Sequence, residues 1–347
     1  MVESASGVHD DFTFGANGYF FDDLGQPCVL LGVVEFSTFW HHLDSMYSSP
    51  LGRKLIYAAT DAEERILRRS NLQFGRWFGK RKVTKKLGLR ASLMGWGDFT
   101  KGHIVNPAHD GLTVGFALAH HEHLTRQRAN VDWKQVSPEL IRLVFEPKDD
   151  MMDSPLAPDT TRWFGVGPSS VVSESLELDL DIRHSMFFNG DERSFFIPIH
   201  MFYHLLQSLL GRPIADDNSS TFPITTSEDM IHVDALRCVV QSACAAFEAS
   251  ERAVYLQSRA DWDGHLRERF IERGLGNITV EESLLDGAKT SIFTVRSPIA
   301  PVACGLLVGM WQRAHGDRPV VHIEEGDDFL RIYLAPPQVN YVAESQE

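Results

Sequence analysis

The stretch IFTVRSPIAPVACGLLVGMWQRAHGDRPVVHIEEGDDFLRIYLAP, from Ile292 to Pro336, decides the fold of this chain. Its apolar pattern predicts a strand, a loop, an apolar helix and two closing strands. A second version, HIVNPAHDGLTVGFALAHHEHLTRQRANVDWKQVSPELIRLVFEP, runs from His103 to Pro147, about 190 residues earlier. The endings LRIYLAP and IRLVFEP match almost position by position, and Gly305 corresponds to Gly115. The two stretches indicate an internal duplication.

Hairpins and helices ahead of these stretches are also repeated. Tyr19–Gly32 and Met186–Pro198 each predict a β-hairpin, because apolar runs flank Asp-Asp-Leu-Gly or Asn-Gly turn sequences. An amphipathic helix follows each hairpin, Val34–Leu43 in one case and His200–Leu209 in the other, about 166 residues apart. Strict alternation in Ser175–Ile182 predicts a further strand, which we expect to pair with the second hairpin.

The longest predicted helix of each half aligns at a different spacing. Ala58–Arg65 aligns with Ala245–Arg252, about 187 residues later. The change indicates an insertion of roughly 20 residues in the second copy, and residues 211–227, rich in Pro, Asn, Asp and Ser, have the composition of a surface loop. Thr225 and Glu228 have the spacing of a capping box, which predicts that the second long helix begins there.

These repeats predict two domains of the α+β class. The first domain, or first half, covers residues 18–148, and the second covers 175–338, with a linker at 149–174 and tails at 1–17 and 339–347. We expect each half to form one antiparallel sheet with helices packed on it. Two related halves in one chain most simply associate about a pseudo-twofold axis, as the subunits of a homodimer do.

Composition limits the classes of protein to which the chain can belong. With 347 residues, of which 43% are hydrophobic, it is long enough for two ordinary globular domains. There is no run of about 18 apolar residues and no signal-peptide pattern, so we expect a soluble cytoplasmic protein without a membrane partner. Four cysteines in so long a chain predict no disulfide framework. The net charge of −14 argues against a general nucleic-acid-binding protein.

Four segments carry a resemblance to a known family. They are the hairpin and helix CVLLGVVEFSTFWHHL, the long helix YAATDAEERI, the apolar helix VACGLLVGMW and the closing hairpin VVHIEEGDDFLRIYL. In this order, each half resembles a 4-vinyl-reductase-type domain over about 130 residues. That small-molecule-binding module is related to the sensor domains of aromatic-responsive transcription activators and, in fold, to subunits of the vesicle-tethering transport particle. The resemblance implies that the chain binds a small hydrophobic or aromatic molecule.

The resemblance also implies a zinc site, which this chain does not complete. Zinc-bearing members have a cysteine entering the apolar helix, a glutamate about 20 residues on, and two further cysteines around a short loop. Cys304 and Glu324 stand at the first two positions, but neither later cysteine exists, and Val114 replaces the cysteine in the first half. Because a structural zinc site takes four ligands, we predict that this zinc is not bound, and we leave any other cofactor open.

A histidine cluster in the first half offers a different metal or ligand site. His120 and His123 lie three residues apart on the predicted apolar helix and share one face. They would need a third ligand from elsewhere to hold a metal, and the second half has no histidine at either position. The alternative for both residues is a solvated helix end.

Aromatic residues mark the expected ligand pocket of the first half. Phe36 and Trp40 lie one turn apart on the helix after the hairpin, and Trp96 and His103 lie on the segment leading into the repeated stretch. Pockets are lined mainly by apolar side chains, with a few polar groups for orientation. We therefore expect the ligand at Phe36, Trp40, Trp96, His103 and His120, whereas packing in the core is the alternative for each aromatic residue.

The stretch from Arg65 to Arg90 contains ten basic residues and no acidic one, in an otherwise acidic chain. Interleaved aromatic residues give it the composition of an anion-binding or partner-binding surface. The residues expected on this surface are Arg68, Arg69, Arg76, Lys80, Arg81 and Lys82. The alternatives are a solvated helix face and a surface that covers the acidic second half.

No catalytic motif is recognisable in the sequence. The chain lacks a Gly-x-Ser-x-Gly nucleophile motif, a phosphate loop and a dinucleotide fingerprint. We therefore predict non-catalytic binding of a small hydrophobic or aromatic ligand, with a regulatory or accessory role. An enzyme or accessory subunit acting on a tetrapyrrole or aromatic substrate is the second hypothesis. A structural adaptor that binds a protein partner is the third.

Overall fold

The computed structural model describes most of the chain. The described residues are 11–70, 72, 79–150, 153, 155, 175–183, 186–215, 222–228, 230–285 and 288–337. They form an α+β protein in which antiparallel sheets pack against helices. None of the described helices combines the length and the apolar character needed to cross a bilayer.

The elements of the first half follow the predicted order. They are β1 (Thr13–Phe14), β2 (Phe20–Phe21), β3 (Pro27–Gly32), α1 (Val33–Ser45), α2 (Lys54–Arg69), α3 (Gly79–Leu93), β4 (Asp98–Thr100), β5 (His103–Val105), α4 (Asp110–Thr125), β6 (Ala129–Ser137) and β7 (Leu140–Pro147). The predicted hairpin is β2–β3, its helix is α1, and the stretch from His103 to Pro147 forms β5, α4, β6 and β7, as predicted.

The predicted elements of the second half appear in the predicted order, together with two strands that were not predicted, Ile224–Thr226 and Asn277–Leu285. The elements of this half are β8 (Leu180–Arg183), β9 (Met186–Asn189), β10 (Glu192–Pro198), α5 (Ile199–Leu209), β11 (Ile224–Thr226), α6 (Val233–Ala249), α7 (Asp261–Arg269), β12 (Asn277–Leu285), β13 (Ala288–Arg296), α8 (Ala300–His315), β14 (Val320–Glu325) and β15 (Leu330–Ala335). The second hairpin is β9–β10, and the alternating segment forms β8, which pairs with β9 as predicted.

The two hairpins share one six-stranded sheet, with the order β1-β2-β3-β10-β9-β8. The last five residues of β3 pair with the last five of β10 in antiparallel register, so that Gly32 is opposite Ser194 and Cys28 is opposite Pro198. The prediction of a single sheet for each half is therefore wrong. Each half divides its strands between the shared sheet and a sheet of its own, because the hairpin edges satisfy their backbone hydrogen bonds against each other.

Each half also has a sheet of its own. In the first half its order is β4-β5-β7-β6, and in the second half it is β11-β14-β15-β13-β12, where β11 runs parallel to β14. Helix α4 packs on α2, and α8 packs on α6. Helix α1 of the first half packs on α6, and α5 of the second half packs on α2, so the helices interlock across the halves.

Glycines allow the two helix pairs to approach closely. A Cβ added at Gly115 of α4 would lie 2.4 Å from the Ile56 carbonyl oxygen of α2, and one at Gly305 of α8 would lie 2.2 Å from the Val240 oxygen of α6. Ile56 and Val240 therefore hold the same place relative to their glycines. Pairing Ile56 with Val240 shifts the alignment of α2 with α6 by three residues from the predicted one, which paired Ala58 with Ala245. Both helices are rich in alanine, so their sequences can be aligned in more than one register.

Each half contains one Gly-x-Gly loop that packs against the hairpin of the other half. Gly95–Gly97 follows α3 and Gly274–Gly276 precedes β12, and all four glycines have positive φ, of 73°, 110°, 72° and 91° in chain order. A Cβ added at Gly95 would lie 3.2 Å from Phe195 of β10, and one at Gly274 would lie 2.9 Å from the Cys28 oxygen of β3. These loops were not predicted, although the Gly-x-Gly spacing occurs in both halves.

The second long helix, α6, begins later than the capping-box spacing predicts. It starts at Val233, whereas Thr225 lies in β11 with its Oγ1 2.9 Å from His322 Nδ1 on β14. The capping-box prediction is wrong because the backbone of this segment takes part in the sheet. Residues 216–221 of the predicted insertion lie outside the described residues, as does most of the predicted linker 149–174.

Candidate functional site

A buried ionic cluster lies in the first half, between α2, α3 and the turn that joins β2 to β3. Its centre is Arg90, which is 1% exposed. Arg90 Nη2 lies 2.8 Å from Asp22 Oδ2, and Arg90 Nη1 pairs with Asp23. Its Nε donates to Glu63 Oε1 at 2.8 Å and its Nη2 to Glu63 Oε2 at 3.1 Å. We call Asp22, Asp23, Glu63, Arg90 and His120 the Arg90 cluster.

His120 joins the Arg90 cluster to the aromatic core of the first half. Its Nε2 lies 3.1 Å from Glu63 Oε1, and its ring lies 6.1 Å from the ring of Trp96. Trp96 is fully buried, stacks on Phe116 at 3.8 Å, and has the Arg90 guanidinium 5.5 Å from its ring centroid. The structure thus brings together Trp96 and His120, two of the predicted ligand residues, but the indole packs against protein side chains.

The charges of the Arg90 cluster determine the protonation of its members. Burial alone would raise the pKa of Glu63, but the charge of Arg90 and hydrogen bonds from His120 and Arg90 lower this pKa to about 2. Burial opposes the charge of Arg90, but the carboxylates of Glu63 and Asp22 raise its pKa well above the usual range. Burial raises the pKa of Asp23, and Arg90 does not offset this rise. Glu63 and Arg90 therefore form a fixed ion pair at neutral pH.

A solvent-open cleft of about 290 Å³ lies between α2, α4 and the start of β6. Residues that line it include Tyr57, Thr60, Asp61, Leu118, Glu122 and Arg128. Within the part of the chain that the structure describes, the Asp61 carboxylate has no hydrogen-bond or ion-pair partner. Burial and the charge of Glu64 raise the pKa of Asp61 to about 6, although the charge of Arg128 opposes the rise. We call this feature the Asp61 cleft.

Arg128 is held in the wall of the Asp61 cleft by two carboxylates. Its Nη1 lies 2.7 Å from Glu64 Oε2 and 2.7 Å from Glu122 Oε2. Glu122 also accepts a hydrogen bond from the backbone N–H of Ala129 at 2.8 Å. Because Glu64 and Glu122 already bind Arg128, the Asp61 carboxylate remains available to a ligand.

The second half has apolar residues where the first half has the Arg90 cluster. When the helix pairs are aligned by their glycines, Phe247 takes the place of Glu63, and Met310 takes the place of His120. Removing ionised groups from water has a large free-energy cost, and both helix pairs pack closely. The polar cluster is therefore not a requirement of the fold, and it marks the first half as the candidate functional region.

The other predicted ligand residues lie elsewhere. Phe36 is 1% exposed, and its ring contacts that of Phe195 at 5.7 Å, so it belongs to the core. Trp40 is half-buried against the same core. His103 is half-buried on β5, with its Nδ1 3.3 Å from the Lys101 carbonyl oxygen. The described contacts of these three residues are with other groups of the protein.

The two predicted histidine ligands have other partners. His120 faces Glu63, and His123 Nε2 lies 3.0 Å from the Leu72 carbonyl oxygen. Both histidines are 5% exposed, so neither lies at a solvated helix end. Among the described residues, no group of three or more His, Cys, Asp or Glu side chains is placed to hold a metal ion.

The residues at the first two positions of the zinc site in the resembled family lie on α8 and β14. Cys304 is fully buried in α8, and burial raises the pKa of its thiol. Glu324 on β14 accepts a hydrogen bond from the Tyr333 hydroxyl at 2.7 Å. The other three cysteines are buried as well, so the thiols behave as small apolar groups.

Two residues of the predicted basic surface lie at the end of α2. Arg68 Nη2 lies 2.6 Å from Glu64 Oε1 and donates to the Asp153 carbonyl oxygen at 3.0 Å. Arg69 is exposed. Arg68 is thus bound within the protein, whereas Arg69 faces solvent.

The remaining residues of that surface lie on or before α3. Lys80, Arg81 and Lys82 are exposed on the first turn of α3. Arg76 lies outside the described residues. Arg90, the last residue of the basic stretch, is instead the centre of the buried cluster.

Three residues of the candidate region, Asp61, Glu63 and Arg90, were not predicted as site residues. Composition assigned Arg90 to a basic stretch, and the long helices were aligned in another register. An alignment of the two halves by Gly115 and Gly305 would have placed Glu63 opposite Phe247. A buried charge opposite an apolar residue is the sequence signal that could have identified Glu63.

Comparison of the chain with protein-family models, with curated proteins and with solved structures finds no match. The resemblance to a 4-vinyl-reductase-type domain therefore depends on the sequence pattern and stays a prediction. Function has to be argued from the chemistry of the site.

Proposed function

We propose that the chain is a tandem pair of vinyl-reductase-type domains that binds a small, largely apolar or aromatic molecule without transforming it. Three features support two related halves. Strands β3 and β10 pair over their last five residues, the helix of each hairpin packs on the long helix of the other half, and each Gly-x-Gly loop lies against the other hairpin. A pseudo-twofold axis produces this type of exchange.

We place the proposed ligand site in the Asp61 cleft. Tyr57 and Leu118 offer apolar surface there, and Thr60 and Asp61 offer polar atoms. Apolar surface with a few polar groups is the usual composition of a small-molecule site. The Asp61 carboxylate would accept a hydrogen bond from an amine or hydroxyl group of the ligand. Ala245 takes the place of Asp61 in the second half, so we expect binding in the first half.

Ligand-dependent stabilisation of the full chain tests this proposal. Benzylamine, benzyl alcohol and toluene share an aromatic ring and differ in the group that they offer to Asp61. A ligand that binds only the native protein raises the free energy of unfolding by about 2.7 kcal/mol at 100 times its Kd. We expect benzylamine to stabilise the protein most, Asp61→Asn to lose that preference, and Asp263→Asn, which changes an exposed carboxylate of α7, to keep it.

Native mass spectrometry provides a second readout. A co-purified small molecule, present above the chain mass of 39.1 kDa and lost in Asp61→Asn, would support the proposal. If none of the three compounds stabilises the protein and the native mass is that of the bare chain, the adaptor hypothesis is preferred. That hypothesis is then tested by isolating a protein partner.

The pKa of Asp61 favours one alternative, an enzyme acting on an aromatic substrate. With a pKa of about 6, Asp61 would exchange a proton near neutral pH, as a general acid or base must. Turnover of a bound compound by the wild-type protein, lost in Asp61→Asn while binding is retained, would favour this alternative over non-catalytic binding.

A further inference from the structure

A second set of polar side chains lies where α5 packs on α2. Arg65 and Arg69 lie one turn apart on α2, and His200, His204 and Gln207 follow one face of α5 at helical spacing. Because α5 packs on α2, these two faces lie at one interface, and the charges of Arg65 and Arg69 both act on His200. We call these five residues the Arg65 cluster.

Four buried polar atoms of the Arg65 cluster have no hydrogen-bond partner among the residues that the structure describes. They are Arg65 Nε, His200 Nδ1, His204 Nε2 and Gln207 Oε1. Native proteins pair most of their buried polar atoms, since each one left unpaired costs about 1–3 kcal/mol. Four of them at one helix interface point to a partner that binds between α2 and α5.

The Arg65 cluster carries positive charge, and no ion pair with a carboxylate of the described residues balances it. Among the described residues, neither Arg65 nor Arg69 forms an ion pair. Burial and the charge of Arg69 lower the pKa of Arg65. Burial and the two arginines lower the pKa of His200 to about 4, and burial, His200 and Arg65 lower that of His204 to about 4. Burial is the first cause of each shift, and the neighbouring cations add to it.

The equivalent interface, where α1 packs on α6, lacks this set of residues. Aligned by the hairpin helices, Val34, Thr38 and His41 of α1 take the places of the three α5 residues. Aligned by the glycines, Ala249 of α6 takes the place of Arg65. The Thr38 hydroxyl donates to the Val34 carbonyl oxygen at 3.0 Å, within its own helix. The fold therefore forms this interface without a cationic cluster.

We propose that the Arg65 cluster binds a phosphate group, either free phosphate or the end of a small phosphorylated molecule. The two guanidinium groups supply charge and directed N–H donors, and each neutral imidazole supplies one N–H. The Gln207 amide presents its NH₂ group after rotation about its terminal bond. A phosphate offers the negative charge and the several acceptor oxygens that such a set requires. Arg69 is exposed at the end of α2, so at least one donor of the cluster faces solvent.

Isothermal titration of the full chain with phosphate and with phenyl phosphate, in chloride buffer at constant ionic strength, tests the site. Arg65→Gln and Arg69→Gln each remove one charge from the cluster, and Lys80→Gln removes one from an exposed position on α3. We expect wild type and Lys80→Gln to bind alike, and each cluster variant to bind about tenfold more weakly or worse, because a charge-assisted hydrogen bond is lost. Circular dichroism establishes that each variant is folded, and the exposed Arg69 keeps the test valid if Arg65→Gln does not fold.

Binding that is tighter for phenyl phosphate supports the site with a phosphorylated molecule as ligand, and equal binding supports it with free phosphate as ligand. An absence of binding by the wild type, or equal binding by wild type and both cluster variants, would overturn the proposal. An equal loss in Lys80→Gln would also overturn it, because general electrostatic attraction would then explain the binding. The proposal does not depend on the proposed function, because the Arg65 cluster and the Asp61 cleft share no residue.

Discussion

Replacement of Glu63 by glutamine tests whether the Arg90 cluster stabilises the fold through charge. Glu63 is fully buried and accepts hydrogen bonds from Arg90 Nε at 2.8 Å and Arg90 Nη2 at 3.1 Å, while His120 Nε2 lies 3.1 Å away. Glutamine has nearly the same shape and no charge. The substitution therefore removes the ion pair and leaves the packing volume almost unchanged.

The expected loss follows from the pKa of Glu63. Against the opposing effect of burial, Arg90 and His120 lower this pKa from 4.5 to about 2, which corresponds to about 3 kcal/mol at roughly 1.36 kcal/mol per pH unit. Because the native pKa lies below the unfolded one, the contribution is complete above about pH 4.5 and is lost as the pH falls towards 2. Glu63→Gln should thus destabilise the protein by about 3 kcal/mol at pH 7, and by progressively less below about pH 4.5.

Urea denaturation of wild type and variant at neutral and acid pH measures this difference. Glu272→Gln is the matched control, since Glu272 pairs with Arg267 at 3.0 Å on the surface, where such a pair contributes about 0–1 kcal/mol. A Glu63→Gln effect at neutral pH no larger than that of the control would refute the reasoning. So would an effect of constant size between neutral and acid pH.

Three further predictions concern packing and burial. Gly115→Ala and Gly305→Ala should each destabilise the protein by more than about 2 kcal/mol, because the added Cβ meets a backbone oxygen at 2.4 or 2.2 Å. Gly264 has open space around it, so Gly264→Ala should stabilise α7 by about 0.5–1 kcal/mol. Equal thermal shifts for the three variants would contradict this prediction. Trp96→Phe should cost about 1–3 kcal/mol in urea denaturation, because the Trp96 indole N–H donates to the buried Phe196 carbonyl oxygen at 2.8 Å, and unchanged stability would argue against that bond. The four buried cysteines, whose pKa values burial raises, should react with a thiol reagent only after unfolding, and rapid reaction of the native protein would show that one of them is accessible.

The elements of the fold could be predicted because their signals are local. The hairpins at Tyr19–Gly32 and Met186–Pro198 are confirmed, since alternation and turn residues specify a hairpin without reference to the rest of the chain. The capping box at Thr225 was wrong for the opposite reason. A local spacing indicated a helix start there, but pairing with β14, about 100 residues later, places the segment in a sheet.

The candidate site could be predicted only in part. Trp96 and His120 were expected near each other, and the structure places their rings 6.1 Å apart. Arg90 was counted with a basic surface, because composition does not distinguish a buried guanidinium from an exposed one. Its partners, Asp22 and Glu63, come from other elements and reach Arg90 only when α2, α3 and the β2–β3 turn pack together.

By itself, the sequence determined the α+β class and the order of most strands and helices, because these depend on residues adjacent in the chain. Only the tertiary structure decided that β3 pairs with β10, that Glu63 meets Arg90, and that Arg65 faces His200. Each of these contacts joins residues that are far apart in the sequence. These contacts depend on long-range packing and on the free-energy cost of removing charges from water. The local periodicity of hydrophobic residues contains no information on either.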